Sequence, residues 1–139
     1  MKIGIIGAGF TGNMHARIYT KINEAELVGI TSKTNQNAEI ISKELNTKCY
    51  SNYKEMISDN NIDVIDICTP TNVHAQLAIE SMENGKNVII EYPATNNYNE
   101  VLRLQKVSNT TGKSCMLAYT SRYQSHYKYV FDCAKSGDF

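Results

Sequence analysis

Apolar residues fall along this chain in two alternating patterns. The segments 2–6 (KIGII), 25–31 (AELVGIT), 62–68 (IDVIDIC), 87–91 (NVIIE) and 114–119 (SCMLAY) are short and rich in isoleucine and valine. Several are apolar at consecutive positions, as strands covered on both faces must be. Longer segments with helical spacing lie between them. Over 72–84, Val73, Leu77 and Met82 share one face, widened by Ala78 and Ile79. Over 98–107, Val101, Leu104 and Val107 recur at three-residue steps. Each pattern predicts a helix laid on a sheet. Segment 34–48, apolar at Ala38, Ile41 and Leu45, predicts another helix, with a short edge strand near Cys49. The last stripe, Tyr123, Tyr127, Val130, Phe131 and Ala134, also has helical spacing. Such a stripe is more often core than binding surface; His126 is expected on the outside of that helix.

The punctuation agrees. Ser51 or Asn52 is placed to cap a helix starting near Tyr53, and Thr71 or Asn72 to cap the next. Gly85 and Gly112 stand where helix C-termini favour a left-handed residue. Alternating strands and helices imply right-handed crossovers. The expected fold is α/β: a doubly wound parallel sheet (Rossmann fold) with helices on both faces. Residues 1–121 read as the dinucleotide-binding domain and 122–139 as a helix leading onward. There is no internal repeat and no low-complexity linker.

Bulk properties narrow the function. The chain has 139 residues, 42% hydrophobic, with a formal net charge of zero, which suits one ordinary domain. Charge balance argues against a nucleic-acid or membrane-surface role, and no apolar run approaches the ~20 residues of a membrane helix. The first residues, MKIGIIGAG, do not read as a signal peptide. Cys49, Cys68, Cys115 and Cys133 are widely spaced, without a C-x-x-C pair. They read as reduced, mostly buried thiols of a cytoplasmic protein. Neither they nor the three histidines show metal-ligand spacing, so no metal is expected.

The chemistry begins at GAGFTG, with Gly7, Gly9 and Gly12. This G-x-G-x-x-G follows a predicted strand and opens a predicted helix, the context that makes it informative. Gly7 suits a tight turn, Gly9 a close approach to a pyrophosphate, and Gly12 close packing of helix on strand. Phe10 and Thr11 complete the loop and belong to the same cofactor site. The helix N-terminus offers free N–H donors and a positive dipole end to phosphate. At the end of the second strand, an acid would hold the adenosine ribose and favour NAD. This chain has Thr31, Ser32 and Lys33 instead. Serine and lysine donate to a 2′-phosphate, so NADP is expected over NAD. The alternative is that Lys33 is a solvated loop lysine and the site accepts either cofactor.

Two later turns fall at the same edge of the sheet. CTPTNVHA (68–75) follows the strand at 62–68. Pro70 stiffens the turn, and Thr69, Asn72 and His74 are candidates to line ribose or phosphate. The alternative for His74 is a packing residue that hydrogen-bonds the next loop. NVIIEYPAT (87–95) runs a strand into Glu91, Tyr92 and Pro93. Glu91 and Tyr92 are candidates to border the nicotinamide and to act in catalysis; the alternative is a simple strand end. Pro93 stops the strand in either case.

Together, IGIIGAGFTGNMHARIY (3–19) and NIDVIDICTPTNVHAQLAIESMENGKNVIIEYPAT (61–95) resemble the glucose–fructose oxidoreductase / inositol dehydrogenase / rhizopine catabolism (Gfo/Idh/MocA) family. The matching positions are Gly7, Gly9, Gly12 and His15, then Thr69, Pro70 and His74, then Glu91 and Pro93, with Arg122 in a helix like the one that leads to the family's second domain. The resemblance implies an N-terminal cofactor domain of an NAD(P)-dependent oxidoreductase. It also implies hydride transfer at a carbonyl or hydroxyl carbon, of a sugar or polyol for example. Two departures stand out. The family's Glu-Lys-Pro is Glu-Tyr-Pro here, as in biliverdin reductase, a relative that prefers NADPH. The substrate domain that the family carries after this point is missing from these residues, so the chain reads as part of a longer enzyme or as a short protein. A sheet face left open by that absence predicts homo-oligomers through the last helix. The competing function is a non-catalytic nicotinamide-nucleotide sensor or regulatory module.

Overall fold

The computed structural model describes residues 1–138. Six strands form one sheet: β1 (Lys2–Ile6), β2 (Glu26–Thr31), β3 (Lys48–Cys49), β4 (Val64–Ile67), β5 (Asn87–Glu91) and β6 (Cys115–Ala118). Their spatial order is β3-β2-β1-β4-β5-β6, and every pairing is parallel. Six α-helices make the connections and the C-terminal segment: α1 (Phe10–Tyr19), α2 (Gln36–Glu44), α3 (Tyr53–Ser58), α4 (His74–Glu83), α5 (Tyr98–Thr111) and α6 (Ser125–Ser136). The chain winds outward from β1 to β3, then returns to the middle and winds the other way. Ligands of open α/β sheets bind at that reversal, beyond the carboxyl ends of the strands.

The expected strands and helices are all present. Asn52 caps α3 by accepting from the Glu55 N–H at 3.0 Å, and Gly85 and Gly112 are left-handed. Three expectations are corrected. Neither Thr71 nor Asn72 caps α4, because residues 71–73 form a 3-10 turn that runs directly into the helix without a side-chain cap. Val101 does not pack on the sheet; it is 46% exposed, while Leu104 is buried. A three-residue step falls about 60° short of a full turn of helix, so Val101 and Val107 drift to opposite sides of Leu104. The aromatic stripe is not core either: Tyr123, Tyr127, Val130, Phe131 and Ala134 are all exposed, since no strand or other α-helix among the described residues covers α6.

Two apolar clusters hold the sheet from its two faces. One joins β4 and β5 to α3 and α4 through Ile65, Ile67, Met56, Ala78 and Met82. The other joins β1 and β2 to α1 and α2 through Ile5, Ile30, Ala16 and Ala38. A buried ammonium ties the amino end of the sheet: Lys86 Nζ donates to the carbonyls of Asp59 (2.7 Å) and Ile62 (2.8 Å). Lys86→Met keeps the apolar stem but orphans both carbonyls. It is expected to cost about 2 kcal/mol, read as a lower urea midpoint with an unchanged slope.

Candidate cofactor site

Register sets the site. Ile6 of β1 lies opposite Thr31 of β2 and Ile67 of β4, Ile67 lies opposite Ile90 of β5, and Glu91 lies opposite Ala118 of β6. The residues that follow these strand ends therefore gather along one edge: the glycine loop, Ser32–Lys33, Cys68–Thr69, Glu91–Tyr92 and Tyr119.

The glycines divide their work. Gly7 has φ +113°, and a Cβ there would overlap the Cys68 carbonyl. Gly12, in the first turn of α1, presses so close that a Cβ would overlap the Gly7 carbonyl oxygen. Gly9 is different. It is the N-terminal boundary of α1, it offers no side-chain cap, and a Cβ there would meet no protein atom within 4 Å. The α1 N-terminus is thus uncapped and opens onto free space, as an anion cradle requires. Phe10 projects outward, 86% exposed, and Thr11 is half-buried.

At the β2 end, a cleft of about 300 Å³ is lined in part by Thr31, Ser32, Lys33, Tyr53, Thr69 and Gln76. No carboxylate lines it. Thr69, a candidate from sequence to line ribose or phosphate, faces this cleft, and its buried hydroxyl oxygen lacks a hydrogen bond. The loop is held by Asn35, which the sequence reading did not single out. Asn35 is left-handed (φ +50°), a conformation asparagine tolerates. Its side chain accepts from the Ser32 N–H (2.9 Å) and donates to the Ser51 carbonyl (2.9 Å). Tyr53 and Gln76 were missed because they come from α3 and α4, far off in sequence.

The β4–α4 turn corrects the reading of His74. The imidazole is 1% exposed. Its Nδ1 lies 3.0 Å from the Pro93 carbonyl and its Nε2 2.6 Å from the Thr69 carbonyl. Both ring nitrogens face backbone carbonyls, to one of which a neutral imidazole donates, and the buried ring does not reach the open edge where a ribose would lie. It clasps two loops of the site to each other. Asn72 and Pro70 are exposed in the turn.

At the β5 end, Glu91, Tyr92, Ala118, Tyr119, Thr120 and Ser121 line a second cleft of about 370 Å³. Tyr92 is 62% exposed, with its ring centroid 5.1 Å from that of Tyr119. Behind Glu91 lies a polar cluster. His15 Nδ1 pairs with Asp66 Oδ2 at 2.8 Å, and its Nε2 lies 3.3 Å from Glu91 Oε1. The Tyr19 hydroxyl donates to the same Asp66 oxygen at 2.8 Å. The Glu91 Oε1–His15 alignment falls short of a hydrogen bond, which leaves this buried oxygen unsatisfied. The hydrogen bond to Asp66 raises the His15 pKa; burial opposes it, and the charges of Asp66 and Glu91 add to the rise. Burial pushes the Tyr19 and Cys68 pKa values well up, and Asp66 reinforces both shifts. His15, Asp66 and Cys68 bring donor atoms within 4.8 Å of one another. Within this cluster the Cys68 thiol lies 3.5 Å from Asp66 Oδ1, and His15 Nδ1 is engaged by Asp66 Oδ2. Among the described residues, the four cysteines are free thiols, each half-buried instead of buried, and no helix is long and apolar enough to cross a membrane.

This sheet order, with a glycine loop at the reversal and clefts on either side of it, defines a dinucleotide-binding Rossmann domain. The sequence model of an oxidoreductase family with an NAD-binding Rossmann fold, Gfo/Idh/MocA, matches residues 1–119. The chain belongs to that family. Its relatives include the 4-carboxy-2-hydroxymuconate-6-semialdehyde dehydrogenase of a Sphingobium species, 31% identical over 99% of this chain and 44% of the relative. The crystal structure of myo-inositol 2-dehydrogenase from Lactobacillus plantarum superposes with a TM-score of 0.90 at 33% identity, over 99% of this chain and 42% of that one. Biliverdin reductase from Synechocystis, solved with biliverdin and NADP+, shares the fold at 21% identity (TM-score 0.87), over 94% of this chain and 42% of that one. The chain spans less than half the length of these relatives.

Proposed function

We propose that this chain is the cofactor-holding part of an NADP-preferring dehydrogenase that acts on a hydroxyl or carbonyl carbon of a polar, polyol-like substrate. The observation that carries the reading is the uncapped, unobstructed α1 N-terminus at Gly9, on the same sheet edge as the buried, unpartnered hydroxyl oxygen of Thr69. These are groups that a ligand with phosphates and ribose hydroxyls would complete.

The residues divide the ligand between them. The N–H groups of Phe10, Thr11 and Gly12 face the pyrophosphate. Ser32 and Lys33 face the adenosine 2′ position, and Asn35 fixes their loop. Glu91 accepts from the ribose on the nicotinamide side, and Tyr92 with Tyr119 walls the ring from water. When bound, the nicotinamide supplies the hydride chemistry; the protein orients it and excludes solvent. Tyr92, in place of the family's lysine, offers a hydroxyl donor to substrate. The exposed α6 stripe suits contact with the rest of a longer protein or with a second copy of this chain.

Lys33→Ala is expected to weaken NADPH binding about tenfold, since it removes one charge-assisted contact, and to leave NADH binding unchanged. Equal weakening of both, by calorimetry at fixed salt, would contradict the assignment of Lys33 to the 2′ position.

A further inference from the structure

The cluster behind Glu91 is unusual for its position. Asp66 is fully buried on a central strand in an otherwise apolar run. Two donors, His15 and Tyr19, converge on one of its oxygens. His15 then points its other nitrogen at Glu91, a residue that lines the β5-side cleft. The titratable groups that face His15 are Asp66 and Cys68 from β4 and its turn, Glu91 from β5, and Tyr19 from its own helix. His15 is the imidazole of this cluster, the side-chain type that ordinarily changes charge near neutral pH.

We propose that His15, fixed by Asp66, is a specificity-determining residue for the oxidation state of the cofactor, and that its charge reaches the nicotinamide through Glu91. The inference rests on the placement of the nicotinamide beside Glu91 in the function proposed above. The physical basis is simple. The oxidised ring carries a positive charge and the reduced ring does not. An imidazolium behind Glu91 offsets the carboxyl groups and favours the neutral ring. Loss of that proton leaves the site more negative and favours the cationic ring.

The sign follows from the pairing with Asp66. His15 binds its proton more tightly in the fold than at its ordinary value of about 6.5. Above 6.5, as pH passes through the folded midpoint, the oxidised cofactor should gain on the reduced one. For a charge acting over several ångströms at a partly exposed site, the gain is about fivefold. Reciprocity requires the converse: the His15 midpoint should lie about 0.7 pH units higher with reduced cofactor bound than with oxidised.

The test uses the full chain. NADP+ and NADPH affinities are measured by calorimetry from pH 6 to 9, and the imidazole of His15 is titrated by NMR in each complex. The NADP+/NADPH affinity ratio is expected to rise about fivefold with pH, and the His15 midpoint to move as stated. His15→Gln should make the ratio flat, whereas His126→Gln, altering an exposed histidine on α6, should leave the rise intact. Because the NMR arm uses the unaltered chain, a misfolded variant does not rescue the idea. A flat ratio in the unaltered chain, or equal His15 midpoints in the two complexes, overturns the inference while leaving cofactor binding in place. Failure of both cofactors to bind at every pH overturns the functional reading and the inference with it.

Discussion

Gly12→Ala is expected to lower the stability of the chain by about 3 kcal/mol. Its methyl group would overlap the Gly7 carbonyl oxygen, with the Cys68 side chain next in line. Neither the loop nor the helix has slack to yield. Gly7 is itself wedged under Cys68, and its N–H donates to the Thr31 carbonyl at 2.8 Å. Relief would require α1 to lift from β1, which opens the cluster that contains Ile5, Ala16 and Ile30. Overpacking of a well-filled site typically costs 1–3 kcal/mol, and a clash with backbone belongs at the upper end. Urea denaturation should show a lower midpoint with the slope unchanged. Stability within 0.5 kcal/mol of the parent would mean that the loop is not packed as described.

Gly9→Asp separates the fold from the ligand. Gly9 is extended (φ −77°, ψ −165°), and the space at its Cβ is empty. Aspartate is among the best residues at a helix N-cap, so stability should hold or rise by up to about 1 kcal/mol. Its carboxylate, however, would take up the N–H donors that the pyrophosphate needs and would repel the phosphates. Affinity for NADPH and NADH alike is expected to fall about 100-fold, close to 2.7 kcal/mol. Unchanged affinity in a folded Gly9→Asp chain would place the phosphates elsewhere. A simple glycine-rich turn would show the stability effect at Gly12 but no binding effect at Gly9.

Much of this was legible in the sequence, for identifiable reasons. Strands buried on both faces announce themselves as Ile- and Val-rich runs, so β1, β4 and β5 were readable from composition alone. The glycine loop was readable because it stands between a strand and a helix; steric demand is visible at Gly7 and Gly12, and open space at Gly9. What stayed hidden depends on contacts between distant segments. Asn35 looks like any loop asparagine until its side chain is seen bridging Ser32 and Ser51. Tyr53 and Gln76 reach the adenosine-side cleft only because α3 and α4 flank it. His74 was open to two readings, and only its burial and its paired carbonyls decide for the loop clasp. Asp66 did leave a signal. A lone acid inside VIDI, on a strand covered from both sides, demands partners. That demand points to donors on the facing helix, where His15 and Tyr19 are found. Helix faces were less readable at their margins. Val101 belongs to the right periodic series but lies at the wet edge of its helix.

The α6 stripe marks the boundary of such reasoning. Its period is helical and its residues are apolar, yet no described element covers it. Periodicity gives a face, not the surface that faces it.

Every role proposed for the site requires that this chain hold a nicotinamide dinucleotide across the glycine loop. Calorimetric titration of the chain with NADPH and NADH at one salt concentration tests that directly. Both should bind with one-to-one stoichiometry, NADPH at least about tenfold tighter, a difference of about 1.4 kcal/mol. Equal affinities would keep the site and remove the NADP preference. No heat of binding from either, in a chain shown to be folded, would contradict the central claim.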